Sequence, residues 1–333
     1  MKIAVIHNID PSGVINVFGR QNKEMYFKEE IEAVVENLRK SNFEVKDFDG
    51  DKFLIEKLET FLPKISKGKK PDGLVFNLAY GIQGNSRYTH IPAILEMMGI
   101  PYTGSGPLAH SIALDKEITK LILLQSGLPT PKFLTINKKL NTNENIALDL
   151  KYPIIIKPKD EAVSFGIIVV NNYEELVIAI NQTIDEYDQP LIAEEFLEGR
   201  EFNVGILGNG TNAEVLEPVE VDFSESGERF QSYCGKKNES YRHICPAVVS
   251  SELNHELKEL ALRAFNALKC LDYARIDLRL DQNNRPFILE LNSMAAIHQK
   301  GSFFLAVKEA GYNYSKMLHK MIQITLSRYE QYH

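Results

Sequence analysis

Cysteine is scarce in this chain of 333 residues: Cys234, Cys245 and Cys270 are too few and too irregularly spaced to frame a disulfide scaffold or a zinc site. No apolar run is long enough to span a bilayer, and the opening MKIAVIHNID is a short apolar strand rather than a signal peptide. A basic face is missing too. Net charge is -7 with lysine and arginine interspersed among acids, which argues against nucleic acid as a partner. Neither an internal repeat nor a low-complexity tract is present. The expectation is a soluble, cytoplasmic protein without membrane or nucleic acid among its partners, long enough for two or three domains.

What is there begins with alternation. KIAVIHN, FEVKDFD and PDGLVFNLAYG read as strands, separated by helical patterns over residues 26–40, where Ile31, Val34, Val35 and Leu38 share a face, and over residues 54–67. Alternating strands and helices predict a doubly wound parallel sheet, with ligands at the carboxyl ends of its strands near residues 8–13 and 77–84. A helix over 89–98 leads into GIPYTGSG, a domain junction. One long helix is expected over 107–125, then strands in YPIIIKP and FGIIVVNN and a helix in EELVIAINQTIDEY. PLIAEEFL, EFNVGILG and AEVLEPVEV read as strands, residues 224–242 as a long mobile loop, and 254–268 and 315–328 as helices. These junctions set expected boundaries at 1–103, 104–190 and 191–333.

The most informative segment is residues 273–292, YARIDLRLDQNNRPFILELN. ARIDLRL and PFILELN alternate as strands around a turn-forming QNNR, so a hairpin sets Asp277 beside Glu290 and Arg275 near Asn292. Two carboxylates and an amide oxygen suit a hard cation such as Mg2+. Glu290 lies in an apolar run, and a buried carboxylate needs a cation or a donor; a salt bridge to Arg275, or a solvated surface hairpin, reads the same way. Elsewhere, Lys157 ends the apolar run IIIKP, Ser164 and Gly166 sit in a short loop able to offer donors to an anion, and Glu194, Glu195, Glu198 and Glu201 crowd one strand exit. Lys116 falls in a helix with one apolar face. Taken singly, each is compatible with an ordinary solvated charge or hairpin tip.

In order and spacing, GIPYTGSGPLAHSIALDKEITKLILLQSGLPTP, YPIIIKP, EEFLEGREFNVGILG, YARIDLRLD and FILELN resemble the ATP-grasp superfamily, and within it the D-alanine:D-alanine ligase family. The resemblance spans roughly residues 70–322. It implies an α/β ATP-grasp fold: an N-terminal doubly wound parallel-sheet domain, then two α+β domains that sandwich ATP. It implies an ATP-dependent carboxylate-amine ligase, ADP-forming, with ATP and two Mg2+ ions (Mn2+ as a substitute), small-molecule carboxylate and amine substrates, and a homodimer. Lys116 and Lys157 would contact ATP phosphates, Glu194 and Leu197 would hold adenine, and Glu201 the ribose. Lys236 would reach the γ-phosphate, and Ser164 would act in the phosphate loop. Asp277, Glu290 and Asn292 would ligate the metal, and Arg275 would stabilise charge on the tetrahedral intermediate.

The family's amino acid site is less well kept. Its His-Gly pair and acidic turn are replaced by residues 79–86, AYGIQGNS; its adjacent serines read Val163 and Ser164; its loop tyrosine reads Lys237; and the glutamate-bearing N-terminal loop has no counterpart in HNIDPSGVINVFGRQ. Met294, Ala295 and Ala296 replace a Pro-Gly-Met turn, and the downstream serine aligns loosely with Gly301 or Ser302. Polar groups standing in their place are Arg20, Tyr80, Arg87, Lys237, His298 and Lys300, whose cations suggest an acidic substrate. The expected substrate is therefore not a pair of D-alanines. A divergent D-alanine:D-alanine ligase and a non-catalytic ATP-binding regulatory protein are the alternatives.

Overall fold

The computed structural model describes residues 1–9, 22, 24–62, 72–140, 149–162, 164–232, 235, 238 and 240–330. Strands β1 (Lys2–His7), β2 (Glu44–Asp49) and β3 (Gly73–Asn77) form a parallel sheet in the order β2-β1-β3. Side chains alternate across its plane. Ile3 and Val5 share a core with Ile31, Val34 and Leu38 of α1 (Lys28–Lys40), while Ala4 and Ile6 pack with α2 (Leu54–Phe61) and α3 (His90–Met98). Helices on both faces give the doubly wound arrangement that alternation predicts. The helix expected over 54–67 ends at Phe61, and residues 63–67 lie outside the described residues.

The single helix expected over 107–125 is two, α4 (Pro107–Leu114) and α5 (Lys116–Gln125). Asp115 leaves the helical region, at φ -81° and ψ 103°, and its carboxylate accepts the Ile118 N–H at 3.0 Å. A capping aspartate satisfies one of the donors that a helix start leaves open, so it favours a break over continuation. The break sets Lys116 at the first position of α5.

Strands β4 (Phe133–Ile136), β5 (Ile154–Pro158), β6 (Ile168–Val170) and β7 (Leu191–Glu195) form an antiparallel sheet in the order β4-β7-β5-β6, backed by α6 (Tyr173–Tyr187). A boundary at 190 would cut β7 from its partners; pairing with β4 and β5 carries this sheet to Glu195. The third sheet, β11-β10-β8-β12-β13, is antiparallel and contains β8 (Glu201–Leu207), β10 (Val219–Asp222), β11 (Arg242–Ile244), β12 (Tyr273–Leu280) and β13 (Pro286–Asn292), with the short β9 (Glu214–Val215) on β8. Helix α7 (Ser251–Ala267) buries Leu257, Ala261 and Phe265 against Phe202, Val204, Ile276 and Leu278.

Two C-terminal helices, α8 (Ser302–Glu309) and α9 (Tyr314–Glu330), pack back toward the N-terminal sheet, so Phe303, Val307 and Leu318 share a core with Ile3 and Val5. Asp272 fastens this return. It is fully buried, and its carboxylate receives the Gly104 N–H at 2.9 Å, the Thr325 hydroxyl at 2.8 Å, the Asn209 amide at 2.8 Å and Arg328 at 2.9 Å. Removing one member of a buried ion pair strands the other. Asp272→Ala is expected to lower unfolding free energy by about 3–5 kcal/mol, read from the denaturant midpoint, whereas Glu259→Ala, in an exposed helical pair with Arg263, should cost under about 1 kcal/mol.

Candidate active site

The hairpin forms as its alternation predicts, with one added feature. Arg275 pairs with Asn292 and Asp277 with Glu290, but the register then shifts, and Leu278 pairs with Ile288. In a regular strand Ile288 and Glu290 would face the same way. The bulge reverses that parity. Ile288 joins Leu278 in the core while Glu290 and Asn292 turn toward the same side as Arg275, Asp277 and Arg279.

On that side β8 completes a polar ladder. Glu201 lies opposite Arg279, Asn203 opposite Asp277, and Gly205 opposite Arg275. Arg279 approaches Glu201 at 3.2 Å, and the Asn203 amide donates to Asp277 at 2.9 Å. Arg275 grips Asp277 with two hydrogen bonds of 2.6 and 2.7 Å, and the Asn292 amide adds a third donor at 3.0 Å. The partner differs from the salt bridge left open on the hairpin: Arg275 pairs with Asp277 rather than with Glu290. Even so, burial and the neighbouring Glu290 push the Asp277 carboxyl up to about 6 against the pull of Arg275.

The opposite wall comes from the four-stranded sheet. Lys157 and Glu194 face each other across β5 and β7 and meet at 2.5 Å, and a second ammonium, from Lys120 on α5, lies 2.7 Å from the other Glu194 oxygen. Burial alone would raise the Glu194 carboxyl, yet the charges of Lys120 and Lys157 outweigh it and hold the group below the ordinary range. Between the walls lies an open cleft of about 600 Å³, lined by Lys157, Ser164, Glu194, Leu197, Glu201, Asp277 and Glu290. Phe230 and Gln231 of the segment joining β10 to β11 also line it, and Gln231 donates to Glu201 at 2.5 Å. Glu290 is shared with an adjoining cavity that Lys116 and Asn292 line; there Lys116 donates to the Glu161 carbonyl, and burial lowers its ammonium pKa.

Seven residues expected at the site thus line one cleft, and two more line the cavity beside it. The residues proposed for substrate are more scattered. Tyr80 is buried, its ring centroid 5.4 Å from both Tyr26 and Tyr88, and Tyr88 donates its hydroxyl to Glu24. His298 is half-buried, with burial and the charges of Arg275 and Lys300 lowering its pKa and Glu30 opposing them. Lys300 is exposed, and Ser302 is buried at the start of α8. Lys236, Lys237, Arg20 and Val163 lie outside the described residues.

Lys120, Asn203, Arg279 and Glu24 are absent from the sequence-based site. Lys120 stands one helical turn beyond Lys116, and Asn203 and Glu201 are two apart on β8, so periodicity could have found them. Glu24 adjoins a segment without regular pattern and offered no such signal. Among the described residues no helix is long and apolar enough to cross a membrane, and Cys245 and Cys270 are free thiols.

The profile of the family described as D-ala D-ala ligase C-terminus matches residues 122–323. An uncharacterized protein of Sinorhizobium fredii is 37% identical over 99% of this chain and 98% of its own, and a D-alanine–D-alanine ligase of Carboxydothermus hydrogenoformans is 32% identical over 89% and 92%. The fold is that of a D-alanine–D-alanine ligase from Bacillus anthracis solved with ATP, at a TM-score of 0.77 and 24% identity over 99% of both chains. A non-catalytic role gives way to an enzymatic one: the chain belongs to the D-alanine–D-alanine ligase family of ATP-grasp, ADP-forming ligases.

Proposed function

We propose that the cleft binds Mg2+ and ATP, and that the enzyme joins a carboxylate to an amine through an acyl phosphate, on substrates other than two D-alanines. The nucleotide half of this reading is carried by Asp277 and Glu290 facing Lys157 across one cleft, with Asn292 in the cavity beside it. No group of three or more His, Cys, Asp or Glu side chains suited to a metal occurs among the described residues. That fits Mg2+, which commonly takes one or two carboxylates and completes its shell with phosphates and water. ATP supplies the phosphoryl group, and Mg2+, or Mn2+ in its place, the neutralising charge. Lys116 and Lys157 would face the phosphates, joined by Ser164 from its loop and by Lys236. Glu194 and Leu197 would border adenine, and Glu201 the ribose. Arg275, which now occupies both oxygens of Asp277, would leave them to the cation and meet the negative charge that builds on the tetrahedral centre.

The substrate half rests on the tyrosines. At the strand exit where the family carries a histidine, Tyr80 is buried, stacked on Tyr26 and tilted against Tyr88. A stacked phenol ring is a different wall from an imidazole, which offers two nitrogens to a small zwitterion. Lys237, His298 and Lys300, with Ser302, would then meet an acidic amino acid or similar carboxylate. A divergent D-alanine–D-alanine ligase is the second reading, favoured by the names of relatives such as that of Carboxydothermus hydrogenoformans. A homodimer in the cytoplasm is the proposed setting.

Release of phosphate from ATP and Mg2+ with a panel of amino acids and small carboxylic acids separates these readings. Turnover with acidic substrates and none with D-alanine is the expected result; turnover with D-alanine alone contradicts it. A second expectation concerns pH. Because the folded pKa of Asp277 is raised, from 3.8 to about 6, the native state keeps a proton that the unfolded chain releases in this window. Its contribution to stability in metal-free protein is present below pH 3.8 and lost as pH rises through about 6. With Mg2+ the order reverses, since the ligand is the carboxylate. Denaturant midpoints of wild type and Asp277→Asn at pH 4.5 and 6.5, with Mg2+ and with chelator, check both signs.

A further inference from the structure

Glu194 is held between two lysines from different elements, and only one of them reaches the cleft. Lys157 of β5 lines the cleft beside Glu194, 2.5 Å from its Oε1. Lys120 of α5 lies 2.7 Å from Oε2, with 1% of its side chain exposed, so it cannot touch a ligand. Its ammonium also donates to the Thr130 hydroxyl at 2.8 Å, and that hydroxyl donates to the Ile288 carbonyl of β13 at 2.9 Å. Lys120 is thus anchored on both the nucleotide-side sheet and the strand that carries Glu290.

Two ammoniums and one carboxylate leave a net positive charge in this buried group. A buried excess charge is unfavourable unless an opposite charge meets it. Lys120 is enclosed and Glu290, whose charge acts on it, lines the same cleft, so the face of the group that an anion can approach is Lys157. Without Lys120, both oxygens of Glu194 would be available to Lys157, and a closed ion pair would have less attraction for phosphate. Lys120 plays no part in the catalytic set assigned from sequence.

We propose that Lys120 is a positioning residue for Lys157: by setting its positive charge against one oxygen of Glu194, it keeps the Lys157 ammonium incompletely neutralised and turned toward a nucleotide phosphate. The inference rests on the reading of Lys157 as a phosphate contact. The thermodynamic signature is a rescue. If Lys120 acts through Glu194, then its removal matters only while the carboxylate is there to capture Lys157.

The test is calorimetric binding of ADP with Mg2+ to the full chain. Lys120→Met is expected to raise the Kd about tenfold or more, the loss of a charge-assisted contact. In a Glu194→Gln background the same substitution should change Kd by less than about twofold, the scatter of uncoupled sites. Lys120→Gln keeps an N–H for Glu194 and Thr130 but no charge; it should behave as Lys120→Met does and serves if the methionine variant does not fold. Unchanged ADP affinity in both Lys120 variants, or an equal loss in both backgrounds, overturns the proposal. Lys157→Met separates the premise from the inference. If it leaves ADP affinity intact, both fall; if it weakens ADP while the Lys120 variants do not, the inference alone falls.

Discussion

Two carboxylates, Asp277 and Glu290, face each other on a largely buried sheet, and much of the cleft is arranged around that repulsion. Like charges in such a place need donors or a cation. The protein supplies Arg275 from the same strand, Asn203 from β8 and Asn292 from β13 to Asp277. Those donors can converge only because the bulge after Asp277 turns Glu290 and Asn292 to the cleft while Ile288 stays in the core. A regular ladder would have set Ile288 and Glu290 on one face, with one of them misplaced.

The facing wall answers with the opposite sign. Lys157, Lys120 and Glu194 form a group with excess positive charge, and the carboxylates across the cleft have excess negative charge. A site with separated signs suits a polyanion and its cation together better than either alone. Thr130, bonded to Lys120 and to the Ile288 carbonyl, ties the two walls beneath the cleft. On the reading proposed, this division would leave the cleft to the nucleotide and the Tyr26–Tyr80 stack to the substrate side.

Much of this could be read from the chain before folding. Period-two alternation in YARIDLRL and PFILELN sets Asp277 beside Glu290, and period-2 and period-3.6 patterns find the parallel sheet and α1. The bulge could not be read, because it changes parity without a glycine or proline to mark it. The break at Asp115 was hidden by continuous helical composition on both sides; a single capping side chain outweighed propensity there. Lys120 escaped notice because a lysine on a helix ordinarily points to water, and only the tertiary approach of Glu194 makes it buried. The pairing of β7 with β4 and β5 is a non-local choice that strand patterns do not specify.

On the reading proposed, the β12–β13 hairpin would hold the cation, and Arg275 would give way from Asp277 when nucleotide and cation bind. Crystals grown with ADP and Mn2+, with anomalous differences collected at the manganese edge, test it directly. Peaks beside Asp277, Glu290 and Asn292, with Arg275 turned away from Asp277, are the expected result. An intact Arg275–Asp277 pair, with manganese elsewhere or absent while ADP is bound, would contradict it.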